Sequence, residues 1–225
     1  MITKPFTRTI ALFGLASLSI ALTACSASSQ GLSSRSFDNV PAPKSASSNL
    51  QPEPLPLPTL NLDLSVDAAY AAIPHKRTAM DFAASSMADQ DKQFLEAAFH
   101  VVDQAIRLRV SAYQRFSRGE VVETSSDMDR LIAYLENTET PAHLTSYKKE
   151  VLQALSDQKA FFEEWKAAGS QFQYGSGQTI AGHPKVQSAS SALRGAYGML
   201  MQAYPNESDH NKEAFFDYHC ALDFL

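Results

Sequence analysis

Two cysteines in 225 residues rule out a disulfide-stapled scaffold, and nine glycines rule out a collagen-like or glycine-rich chain. Basic residues are the minority, 19 Lys and Arg against 24 Asp and Glu, which excludes the basic balance that nucleic-acid binding rewards through counterion release. No apolar run reaches the roughly 20 residues of a membrane-spanning helix; the longest, Ile10 to Ala21, is too short. The chain also has no Gly-x-Ser-x-Gly elbow, Walker loop, dinucleotide glycine fingerprint, HExxH or Cys-x-x-Cys-His haem-attachment site. These absences leave one soluble domain with attachments and weigh against an enzyme.

The attachment comes first. Lys4 and Arg8 precede the apolar stretch, which ends in Leu22-Thr23-Ala24-Cys25. A basic n-region, a short h-region and a small-residue cleavage site form a secretory signal over residues 1–24. The final four residues resemble the lipobox of bacterial lipoproteins. That resemblance covers only the first 25 residues, and it implies that the Cys25 thiol carries a diacylglyceryl thioether and that cleavage frees its amino group for N-acylation. Several acyl chains anchor a protein stably, since each buried CH₂ contributes about 0.8 kcal/mol. Ser26 stands where the enteric inner-membrane retention signal has an aspartate, which points to the outer membrane, facing the periplasm. Loss of Lys4 and Arg8 with the signal leaves 17 basic side chains against 24 acidic ones, so the membrane is engaged through the lipid and not through charge.

From Ser26 to Leu60 the composition changes to nine serines and six prolines in 35 residues, including the run Pro52-Glu-Pro-Leu-Pro-Leu-Pro58. Such a stretch has little apolar surface to offset its ordering entropy. Residues 25–60 therefore read as a lipidated cysteine followed by a disordered tether spanning about 30 Å as a coil. The remaining 61–225 are long enough for a single domain that buries about 70% of its unfolded surface. With Cys25 lipidated, Cys220 has no partner for a disulfide, and the fold must rest on packing.

Helical spacing dominates that body. Leu95, Phe99, Val102, Ile106, Val110 and Tyr113 step by three or four, as do Leu144, Tyr147, Val151, Leu155, Phe162 and Trp165 once Gln158 is admitted. Val186, Ser190, Leu193, Tyr197, Leu200 and Tyr204 repeat the rhythm. No strict alternation competes with it, and Gly119, Pro141, Pro184 and Pro205 punctuate it. The expectation is an all-α, antiparallel up-and-down bundle of about six helical segments, near 65–88, 90–118, 126–138, 141–168, 184–204 and 207–224.

Candidate chemistry lies where polar residues interrupt apolar stripes. In the first segment Arg77 falls mid-stripe with Asp81 one turn on. This reads either as an internal ion pair or, with His75, as an anion-binding pocket. Glu96, His100, Asp103 and Arg107 share a face of the second segment and read as a solvated, self-paired stripe. Gln158 calls for a cross-helix hydrogen bond or a ligand. The densest cluster is His219, Cys220 and Asp223, on a helix apolar on nearly every side; these side chains suit zinc or another transition metal, or a core histidine beside an inert thiol. The leading expectation is a non-enzymatic lipoprotein whose helical domain binds an envelope protein or another ligand, with no cofactor firmly implied. The alternative is a metal- or haem-binding bundle built on His219 with Asp223 or Cys220, joined by His75, His100 or His183.

Overall fold

A computed structural model describes residues 56–73, 75–168 and 180–223. The signal, Cys25 and the tether through position 55 lie outside the described residues. The chain divides into units 1–49 and 50–225, and the second holds every described residue.

This unit is all-helical: α1 (Val66–Ala72), α2 (Asp89–Ser117), α3 (Ser125–Asn137), α4 (Thr145–Ala168), α5 (Pro184–Ala203) and α6 (Asp209–Leu222), with no strand among the described residues. Local chemistry sets the ends. Ser65 and Ser208 cap α1 and α6 by accepting from the amides of Ala68 and Asn211, and Pro184 opens α5, where its missing N–H costs nothing. Gly119, at φ 77°, turns the chain out of α2 in a conformation that other residues adopt only with strain.

Consecutive helices α2 through α6 pack on one another, α6 returns to α2, and α1 also lies on α2. Helices α2 to α6 form an up-and-down helical bundle, with connections from five residues between α5 and α6 to 15 between α4 and α5. Val101 to Val110 of α2 are all buried, so this helix is covered on every side. The main core gathers Phe94, Leu95, Ile106, Leu131, Leu155 and Phe215, none more than 1% exposed, and each contributes roughly 1.5–3 kcal/mol by burial. Phe161, Phe162, Trp165 and Val186 form a smaller cluster with Ala112 and Val122, against the C-terminal part of α2.

The first expected helix, 65–88, is the main departure. It stops at Ala72, just before Pro74, which disfavours helical backbone in the residue ahead of it. Residues 75–88 instead run without helix along α6, whose polar side chains hold their backbone. Asn211 accepts from the Asp81 amide (2.8 Å) and donates to the Asp81 carbonyl (3.1 Å), and Asp217 accepts from the Thr78 amide (3.0 Å). Glu207 accepts from the Ser85 hydroxyl at 2.6 Å. The apolar spacing over 66–87 served a helix only as far as Ala72, and a strap beyond it.

The packed part also begins before position 61. Leu60 is 2% exposed and belongs to the main core. Three residues of α2 receive this segment: His100 Nε2 donates to the Pro58 carbonyl (2.8 Å), Gln104 Oε1 accepts from the Leu60 amide (3.2 Å), and Arg107 donates to the carbonyls of Leu62 (3.1 Å) and Leu64 (2.6 Å). The face expected to be solvated is thus partly roofed. Asp103 and Arg107 are buried, while Glu96 remains exposed.

Candidate functional site

The C-terminal half of α6 is held from three sides. A helix leaves its last four carbonyls without intrahelical donors. Here Arg109 of α2 donates to the Ala221 carbonyl (2.5 Å), Gln158 of α4 donates to the Leu222 carbonyl (2.7 Å), and the Ser190 hydroxyl of α5 bonds the Asp223 carboxylate. Burial pulls the Arg109 pKa down to about 10 against the opposing charge of Asp223, so the guanidinium remains a cation at neutral pH. Gln158, fully buried, makes the cross-helix bond that its place in an apolar stripe called for.

Between α5 and the held end of α6 lies a pocket of about 200 Å³. One wall is Leu193, Arg194 and Tyr197 of α5; the other is Phe216, His219 and Cys220 of α6, at spacings that place them along one helical flank, with Asp223 just past its end. Tyr197 meets Phe216 edge-on at 5.8 Å, and Phe216 keeps 47% of its surface exposed. The sequence cluster His219, Cys220 and Asp223 therefore does line one site, while Leu193, Arg194 and Tyr197 carried no sequence signal beyond a helical stripe.

His219 is 3% exposed, with Tyr147 and Phe99 edge-on to its ring at 5.6 and 6.3 Å. Its Nδ1 lies 2.5 Å from the Phe215 carbonyl one turn back. A carbonyl only accepts, so Nδ1 carries the proton and Nε2 is left as an acceptor. That Nε2 is buried and has no hydrogen-bond partner. Burial pulls the His219 pKa down to about 4 in spite of the bond to Phe215, and the ring is neutral at physiological pH. Burial, reinforced by the charges of Asp223 and Asp217, pushes the Cys220 thiol up, which makes it a slow nucleophile.

Among the described residues no three His, Cys, Asp or Glu side chains are grouped so as to hold a metal ion. The other histidines do not gather on His219. His75 faces Asp217 (3.6 Å), His100 bonds Pro58, and His183 caps α5 through Nδ1 while its Nε2 donates to Glu164 (3.1 Å).

The first-segment candidates form a different arrangement from the one their spacing suggested. Arg77 pairs with Asp103 of α2 (2.8 Å) and Asp67 (3.4 Å), not with Asp81, whose carboxylate accepts from the Ala84 amide. Tyr70 donates to the other Asp103 oxygen at 3.1 Å. Burial pushes the Asp103 pKa up although Arg77 and Tyr70 oppose it. Carboxylates of Asp67, Asp103 and Asp217 surround Arg77 and His75, so the cluster presents no net positive charge to an anion.

No protein-family model, curated protein or solved structure matches the chain. No helix among the described residues is long and apolar enough to cross a membrane.

Proposed function

We propose that this protein is a lipid-anchored, non-enzymatic binding module, held on the outer membrane through Cys25 and exposed to the periplasm. The observation that carries the binding role is the α5–α6 pocket: concave, edged by a half-exposed Phe216, and with the buried His219 in its wall. Apolar pockets with a few placed polar groups are the usual form of small-molecule sites. The lipobox resemblance at Leu22-Thr23-Ala24-Cys25 supports the anchor.

Two measurements test this reading. Cys25→Ser should abolish lipidation and leave unprocessed precursor, visible as a larger, unlipidated species by mass spectrometry; normal membrane-bound processing of that variant would sink the anchor. Saturating toluene, used as an apolar probe, should slow alkylation of Cys220 several-fold in the full chain, and Leu193→Trp, which fills the pocket, should remove the effect. Alkylation indifferent to toluene would exclude the pocket as the binding site.

A further inference from the structure

We infer that Asp91, His143 and Tyr204 form a three-donor site for ferric iron, where the start of α2 meets the end of α5. The site shares no residue with the α5–α6 pocket and stands whether or not that pocket binds a ligand. Three observations support it.

The donors converge from separate elements. Asp91 lies in the first turn of α2, His143 in the 3₁₀ turn Ala142–Leu144 ahead of α4, and Tyr204 at the C-terminal cap of α5. His143 Nε2 is 3.4 Å from Asp91 Oδ2 and 3.3 Å from the Tyr204 hydroxyl, which donates to Asp91 in turn. These separations are long for hydrogen bonds, which prefer about 2.7–3.2 Å. They suit ligands of one ion, because bonds of about 2.0–2.2 Å set neighbouring donors of a four- or six-coordinate centre roughly 2.8–3.6 Å apart.

Asp91 also lacks a permanent cation. It is 7% exposed, and among the described residues no lysine or arginine pairs with it; its ion-pair partner is His143, a cation only when protonated. Buried charges are paired or coordinate metals. The His143 side chain is half exposed, which gives an ion a way in and leaves further positions to water or a chelator.

The donor set selects the ion. His, Cys, Asp and Glu alone supply no group of three among the described residues, and here a phenol completes the set. Imidazole and oxygen donors both suit iron. A phenol in water loses its proton only near about pH 10, so at neutral pH it ligates an ion whose charge drives that proton off, as trivalent iron does. On binding, Tyr204 releases one proton, the His143 Nε2 proton passes to Nδ1, and no electron moves.

The test adds ferric nitrilotriacetate to the detergent-solubilised full chain, with nitrilotriacetate filling the remaining positions. One iron per chain should bind, and a phenolate-to-iron charge-transfer band should appear in the visible spectrum. Tyr204→Phe should remove the band, and His143→Asn, at a half-exposed side chain, should weaken binding at least about tenfold. Resonance Raman spectra excited in the band should show tyrosinate modes in the unmodified protein, which keeps the test decisive if a variant does not fold. No binding, binding without the band, or a band that persists in Tyr204→Phe would overturn the site. Zinc bound in preference to ferric iron would overturn the choice of ion.

Discussion

Arg107→Met should lower stability by about 3 kcal/mol, a fall in Tm of roughly 6–12 °C for a domain of this size. Arg107 is 8% exposed, and its guanidinium donates through three nitrogens, to Leu64 at 2.6 Å, Leu62 at 3.1 Å and Gln104 at 2.6 Å. The Leu62 and Leu64 carbonyls belong to a segment that has no helix or sheet to satisfy them. Methionine fills a comparable volume but donates nothing, so these carbonyls must regain water by lifting away, and Leu60 lifts with them. Arg107→Lys should fall between the two, because one ammonium group cannot span acceptors that the planar fork reaches together. Thermal unfolding measures the loss, and limited proteolysis should show new cleavage between residues 58 and 66. An unchanged Tm with that segment still protected would show that Arg107 does not hold it.

Acidification from pH 6.5 to 4 should remove about 3 kcal/mol of stability through His219 alone. The folded pKa is pulled down to about 4 from an ordinary value near 6.5, mainly by burial. Between those values the unfolded chain binds a proton that the folded chain refuses, so stability falls as pH drops through this window and levels off below it. His219→Gln removes the titration while its amide can still donate to the Phe215 carbonyl. Urea unfolding at pH 7 and pH 4.5 should therefore show a much smaller pH dependence in the variant. Glu207 and Asp157, whose pKa values their hydrogen-bond partners hold low against burial, lose their contributions at more acidic pH and leave this window largely to the histidine. An equal pH dependence in variant and parent would refute the assignment.

The two effects trace different histories of legibility. His219 stood out in the sequence because a polar residue on a helix apolar nearly all round must be buried. Burial also determines that its ring is neutral. Whether it would act as a metal ligand or as a lone acceptor was not readable, since that depends on what three other helices bring near it. They bring Tyr147, Phe99 and the wall of α5, and among the described residues no group of three His, Cys, Asp or Glu ligands forms. Arg107 was legible as a charge but was assigned to water, because spacing along one helix reports what shares a face and not what covers that face.

The strap over 75–88 makes the same point. Val66, Tyr70, Ile73, Arg77 and Met80 keep helical spacing, and the strap packs Met80 and Phe82 on the core all the same. Its backbone is bonded by Asn211 and Asp217 and its Ser85 hydroxyl by Glu207, residues more than 120 positions later in the chain. A periodicity rule sees only neighbours within a turn or two, so it could not find partners so distant.

By itself the sequence determined the helical class, the extents of α2 to α6 to within a few residues, and the burial of Gln158 and His219. These follow from local periodicity, capping residues and the rule that an apolar stripe turns inward. Only the tertiary structure decided where the extended segments lie, which polar groups hold them, and that α5 and α6 enclose a pocket beside an unsatisfied imidazole. Such features depend on hydrogen bonds and surfaces joined across the fold, and the free energy of a buried polar group is set by the partner that arrives from elsewhere.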